Sequence, residues 1–276
     1  MIQYLYLGRI GYAEALALQQ EMVELRHQGR VENLLLLLEH PPVLTLGRNA
    51  RRSNILATDE MLARKGVAIH EINRGGDVTY HGPGQLVGYP IFDLRSLTNS
   101  SGGRLGPVDY VRRMEEALIR LCAGYGVITG RVPGRTGVWT NAIPGREKKI
   151  GAIGVHVSRG ITSHGFALNV TTDLRDFQWI VPCGIADREV TSLELEMPNP
   201  EQMPTLEQTA DAAARQFGQV FGEQVLAVES LDALRSSARP SGAGGIEQLG
   251  VPMLVPEEVS RLTRQDTDAV DRPVRA

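Results

Sequence analysis

Residues 33–40 carry five consecutive leucines, Leu34 to Leu38, and Pro41-Pro42 breaks the run. Crossing a bilayer takes about 20 apolar residues, so this stretch cannot span a membrane. An apolar run this short, closed by helix breakers, reads as a strand buried inside a sheet. Val43 to Leu46 resumes as a second strand. A buried strand needs a body around it. The chain has 276 residues, 42% hydrophobic and 22% charged, which supports a globular core of real size.

Other segments carry their own periods. Residues 12–28 place Leu16, Met22, Val23 and Leu25 among polar neighbours and read as a helix. Residues 51–66 read as a second helix and 87–94 as a strand. The Ser/Gly-rich residues 99–106 form a surface loop by composition. Pro107 suits a first helical turn, and Val111, Met114, Leu118, Leu121 and Cys122 follow at spacings of three and four up to Gly124 and Gly126. Residues 150–157 and 161–170 read as a hairpin around Ser158-Arg159-Gly160. Residues 205–221 form the clearest helix, opened by the capping box Thr205 and Gln208. Residues 231–276 have no aromatic residue and recurring Pro and Gly, the mark of a flexible tail. Helices and strands intermix through the rest. The expected organisation is one α+β (mixed α/β) domain over 1–230 and a tail over 231–276.

Composition excludes several function classes. The 29 basic and 32 acidic residues leave a net charge of −3, and a chain built to coat nucleic acid needs a strong basic excess. The N-terminus Met1-Ile2-Gln3-Tyr4-Leu5 has no basic flank and no apolar stretch of signal length. Two cysteines cannot build a disulfide framework, so a reducing, cytoplasmic setting is expected. The six histidines are scattered and pair with no nearby cysteine, so no metal site is expected.

Three stretches carry potential chemistry. Cys183 sits in Val181-Pro182-Cys183-Gly184-Ile185, a turn that exposes the sulfur beside backbone N–H groups; it reads as a nucleophile or as an incidental loop cysteine. Cys122, on an apolar helix face, reads as a core residue. Arg74-Gly75-Gly76-Asp77-Val78-Thr79-Tyr80-His81-Gly82-Pro83-Gly84-Gln85 packs four glycines into a loop that lacks the phosphate-binding and dinucleotide motifs. It reads as a binding loop or as a plain hairpin. The chain has three lysines, and two of them, Lys148 and Lys149, open the strand Ile150-Gly151-Ala152-Ile153-Gly154-Val155-His156. Small residues recur in His164-Gly165-Phe166-Ala167-Leu168-Asn169. Two paired strands short of bulk leave a slot for a ligand.

These stretches, with Gly134-Arg135-Thr136-Gly137-Val138-Trp139 and the turn that runs to Val190-Thr191-Ser192-Leu193, occur in one order along residues 1–225. In that order they resemble the lipoyl(octanoyl) transferases. The resemblance implies a mixed sheet flanked by helices, similar to the catalytic domain of biotin and lipoate protein ligases. It places the acyl-thioester cysteine on Cys183 and the conserved lysine on Lys149, not Lys148. It places substrate binding on Arg74 to His81, on Ala152, Ile153 and Gly154, and on Gly165, Phe166 and Ala167. Residues 99–106 look like an insertion, and the tail matches nothing in the pattern.

The implied reaction moves an octanoyl group from octanoyl-acyl carrier protein to a lysine of apo lipoyl domains. Those acceptors are the lipoyl domains of 2-oxoacid dehydrogenase complexes and the glycine cleavage H protein. No cofactor, metal, nucleic acid or membrane is implied. Three rivals remain open at this point: an ATP-dependent lipoate or biotin ligase, which does not need Cys183; a module that binds lipoyl domains without catalysis; and an amidotransferase between protein lysines.

Overall fold

The computed structural model describes residues 1–99, 101–140, 145–181 and 189–238. The chain opens with β1 (Ile2–Arg9), α1 (Tyr12–His27) and β2 (Asn33–Glu39). The run continues through β3 (Val43–Leu46), α2 (Asp59–Arg64), β4 (Ala68–Glu71), β5 (Val78–His81) and β6 (Gln85–Ile91). Next come α3 (Pro107–Gly124), β7 (Thr129–Val132), β8 (Arg135–Thr140), β9 (Lys149–Ser158) and β10 (Ile161–Asn169). The last described elements are α4 (Leu193–Glu196), α5 (Leu206–Phe221), β11 (Val225–Ala227) and α6 (Leu231–Ser237).

Eight strands form one mixed sheet in the order β11-β1-β2-β6-β10-β9-β8-β7. β11, β1 and β2 run parallel; every later neighbour pairs antiparallel. A second sheet of three strands has the order β4-β3-β5. This is the mixed α/β architecture expected from the sequence.

The leucines of β2 explain why the sheet needs cover on both faces. Leu35 and Leu37 pack into the core with α3 and α5, whereas Leu34, Leu36 and Leu38 pack into the core with α1. All five are fully buried. At about 1.5–3 kcal/mol per buried leucine, neither face could be left to water.

The helix termini follow local chemistry. Pro107 stands in the first turn of α3, and the Thr205–Gln208 capping box starts α5, which ends at Gly222 with φ 70°. The β9–β10 connection is tighter than three residues. Ser158 pairs with Ile161, and the two turn residues Arg159 (φ 49°) and Gly160 (φ 84°) are both left-handed. Two left-handed residues match the twist of the flanking strands.

Two expected boundaries move. Of residues 51–66, only Asp59–Arg64 are α-helical, capped by the Thr58 hydroxyl; Ile55 is drawn into a bridge with Ile180. A long-range pairing has overridden local preference there. Residues 231–237, assigned above to the tail, form α6. Leu234 is fully buried in the α1-side core, and Arg235 pairs with Glu21 at 2.7 Å. Residues 239–276 lie outside the described residues.

Candidate active site

The small residues of β9 and β10 meet in register. Gly154 stands opposite Gly165, and Ala152 opposite Ala167. These two pairs floor a cleft of about 480 Å³, measured out to open solvent. Side chains at both glycines are excluded: a Cβ on Gly165 would come within 2.2 Å of the Gly88 carbonyl, and one on Gly154 within 2.8 Å of the Gly75 carbonyl. A cleft lies along these two strands, and close backbone packing, not room for a ligand, accounts for the two glycines.

The glycine-rich segment forms the opposite wall. Gly75 N–H donates to the Val155 carbonyl at 2.9 Å, tying the loop across β9. The Arg74 guanidinium turns inward and donates to the Thr45 carbonyl at 2.8 Å and hydroxyl at 2.9 Å. Arg74, Gly76, Asp77, Thr79 and His81 line the cleft, as do Ala152, Ile153, Gly154, Gly165, Phe166 and Ala167. Three expected residues, Gly75, Val78 and Tyr80, do not. Along β5 the side chains alternate, so Thr79 and His81 face the cleft while Val78 and Tyr80 enter a separate core with Phe177 and Trp179. There the Tyr80 hydroxyl donates to Asp176 at 2.6 Å, and burial raises its pKa. Gly75 contributes its backbone tether.

The far end of the cleft is aromatic. Tyr12, Tyr89, His81 and His164 line it. Burial pushes His81 down to about 3, helped by nearby His40 and Arg74. Burial and Arg74 push His164 down to about 4. Both rings are thus neutral at pH 7. His40, behind them, donates from Nδ1 to the Ile10 carbonyl at 2.8 Å and accepts from the Tyr89 hydroxyl at 2.7 Å. The neutral rings present aromatic faces to the cleft, with the Arg74 guanidinium nearby.

The cleft continues toward Lys149. Thr79, Ala152 and Ala167 also line a second hollow, with Gln85, Lys149, Asn169, Phe177 and Val190. A chain of hydrogen bonds runs beside it. His81 Nδ1–H donates to the Gln85 side-chain Oε1 at 2.7 Å; the Gln85 Nε2 donates to Asn169 Oδ1 at 2.9 Å; and the Asn169 Nδ2 donates to the Thr191 carbonyl at 2.9 Å. Thr191 N–H then donates to the Lys149 carbonyl at 2.9 Å.

Lys149 is 9% exposed, and its Nζ lies 5.1 Å from the centroid of the Trp139 ring. That is within cation–π range. Lys148 instead points outward, 3.8 Å from Glu196. Only Lys149 of the pair reaches the cleft.

Cys183 lies in residues 182–188, outside the described residues, but both flanks are described. Val181 N–H donates to the Asn54 carbonyl at 2.7 Å, and the Asn54 amide donates to Asp77 at 2.6 Å. On the other side Lys149 N–H donates to the Glu189 carbonyl at 2.9 Å. Cys122 is buried in the core, which pushes its thiol up to about 12. Among the described residues no group of His, Cys, Asp or Glu is arranged to hold a metal.

Sequence reasoning missed Tyr12, Tyr89 and Phe177, and gave no role to Gln85, Asn169, Gly137 or Trp139. All but Tyr12 and Phe177 lie in or beside stretches already quoted for their pattern. Tyr12 sits at a helix start with no local signal.

The model of the lipoyl protein ligase A/B catalytic domain matches residues 11–218. An octanoyltransferase of Acidobacterium capsulatum is 69% identical over 234 residues, covering 83% of this chain and 94% of that protein. An octanoyltransferase of Koribacter versatilis is 51% identical over 266 residues, covering 96% and 98%. Among solved structures, a bipartite lipoate protein ligase from Thermoplasma acidophilum superposes with TM-score 0.64 at 16% identity, covering 86% of this chain and 90% of its own. A lipoate-protein ligase A bound with ATP superposes with TM-score 0.63 at 15% identity, covering 86% and 92%. At such identities the structures share the fold with this chain.

Proposed function

The chain belongs to the octanoyltransferase family, on the lipoyl protein ligase A/B catalytic domain, and from that premise we propose that its thioester intermediate forms on Cys183 with Lys149 as the proton-transfer partner. The donor in this reading is octanoyl-acyl carrier protein. The acceptors are lysines of apo lipoyl domains, in 2-oxoacid dehydrogenase complexes and the glycine cleavage H protein.

One observation carries the reading. Of the residues that flank 182–188, Val181 bonds to Asn54, whose amide holds Asp77 in the cleft, and Glu189 accepts from the Lys149 N–H. Both described flanks, Val181 and Glu189, thus bond to residues tied to the cleft or to Lys149 itself, which supports Cys183 as the nucleophile in this reading.

The donor is a thioester, so its acyl group is already activated and no ATP is consumed. Cys183 thiolate attacks the carbonyl carbon. A new C–S bond forms, the carrier's sulfur leaves, and the Lys149 ammonium gives it a proton. The acceptor amine then attacks the enzyme thioester. A C–N bond forms, the C–S bond breaks, and neutral Lys149 takes the amine proton as Cys183 returns to thiolate. The octanoyl chain runs along Ala152 and Ala167 toward Gly154 and Gly165. Six methylenes at about 0.8 kcal/mol each supply roughly 5 kcal/mol of binding. Among the described residues no helix is long and apolar enough to cross a membrane, and a cytoplasmic setting fits a working thiol.

The test is transfer without ATP. Octanoyl-carrier protein, a purified apo lipoyl domain and this protein are mixed, and the mass of the lipoyl domain is followed. We expect one octanoyl added to one lysine. Transfer that appears only with ATP and free octanoate overturns the reading in favour of a ligase.

A further inference from the structure

Glu115 sits on α3, and its carboxylate is fully buried. It accepts from Arg112 at 2.8 Å and Arg131 at 3.0 Å, and its other oxygen accepts from the Gly137 N–H at 3.0 Å. The two cations offset the cost of burying the charge. The bond to Gly137 reaches beyond the ion cluster, into β8.

Gly137 is the point where β8 passes Lys149. Its φ is +123°, a region that side chains rarely adopt. A Cβ there would lie 2.8 Å from Lys149 Cε and 2.6 Å from the Gly151 carbonyl. The lysine stem therefore lies against bare backbone. The β8–β9 register shifts between Val138 and Trp139, beside the Trp139–Lys149 pair. The Trp139 ring takes the ammonium.

We propose that Glu115 is a positioning residue for Lys149: it clamps the Gly137 amide and so fixes the backbone cradle along which the lysine stem reaches the cleft. The inference rests on the proton-transfer role of Lys149 given above. Glu115 itself lines neither hollow of the cleft. Its loss therefore leaves the acyl slot intact and degrades the aim of the ammonium. Proton transfer is sensitive to such displacement, whereas acyl binding is not.

The experiment measures kcat, KM for octanoyl-carrier protein and the thermal midpoint for the full chain, Glu115→Gln, Gly137→Ala and Lys149→Met. Glu115→Gln releases one end of the clamp; Gly137→Ala crowds the other and keeps the carboxylate and both of its arginines in the sequence. We expect kcat to fall about tenfold or more in both, with KM within about threefold of wild type. Normal kcat in a folded Gly137→Ala overturns the cradle, even where Glu115→Gln does not fold. A lowered thermal midpoint with unchanged kcat in Glu115→Gln reduces Glu115 to a structural ion pair and overturns the proposal. Full activity in Lys149→Met overturns it as well, and does so by removing the role of Lys149 itself.

Discussion

Ala152 on β9 stands directly across from Ala167 on β10, and both line the two hollows that together make the cleft. Here the slot has side chains that can be enlarged into it. Ala152→Leu is expected to shift preference toward shorter acyl groups. Each methylene excluded from the slot forfeits about 0.8 kcal/mol, close to a fourfold change in relative kcat/KM. Comparison of C4, C6, C8 and C10 carrier thioesters reads this directly, and an unchanged profile argues against this path for the chain.

Gly165 behaves differently. A Cβ there meets the Gly88 carbonyl at 2.2 Å and Pro90 at 2.5 Å, inside the sheet itself. Gly165→Ala is expected to lower stability by about 1–3 kcal/mol, as overpacking does, without a graded change in chain-length preference. Denaturant unfolding checks the first part. A variant as stable as wild type contradicts it.

Lys149→Arg keeps a cation near Trp139 but replaces the proposed proton carrier with a guanidinium, which does not give up a proton in proteins. Turnover is expected to drop by about 10²-fold or more. Near-normal kcat leaves charge as the whole contribution of Lys149.

The buried histidines set an acid limit on stability. His40 and His164 are held down to about 4 and His81 to about 3, chiefly by burial, below an unfolded value of about 6.5. Below pH 6.5 the unfolded chain binds protons that the native rings refuse, so stability present above that pH is lost as pH falls through 6.5 toward 4. Each group forfeits about 2 kcal/mol at pH 5. The thermal midpoint should be level between pH 7 and 8 and fall steeply from pH 6.5 to 5. His81→Gln should flatten part of that slope. A level midpoint down to pH 5 contradicts the burial of these rings as neutral species.

Leu234 ties α6 to the α1-side core. Leu234→Ala is expected to cost about 2–5 kcal/mol. Truncation after residue 238 should leave turnover unchanged, because every described cleft residue lies between Tyr12 and Val190. Loss of turnover on that truncation contradicts this placement of the functional unit.

Much of this was legible in the chain. The leucine run of β2 announced a strand with two apolar faces, and the residues around Ser158-Arg159-Gly160 announced the β9–β10 hairpin, because both signals depend on neighbours a few positions away. The rest depends on distant partners. Val78-Thr79-Tyr80-His81 is too short for its alternation to say which side faces the ligand; the core around Trp179 decides it. Ile55 leaves helix to pair with Ile180. Glu115 looks like an ordinary surface glutamate on a helix and is buried because β7 and β8 bring Arg131 and Gly137 to it. Leu231–Ser237 carries few apolar residues, and one of them, Leu234, docks it.

The central claim is the acyl-enzyme, and intact-protein mass after mixing with octanoyl-carrier protein, without ATP, tests it most directly. Wild type and a Cys122→Ala variant should each gain one octanoyl group, removed by neutral hydroxylamine, and Cys183→Ala should gain none. An adduct that persists in Cys183→Ala, or no adduct on a wild-type protein that is turning over, contradicts it.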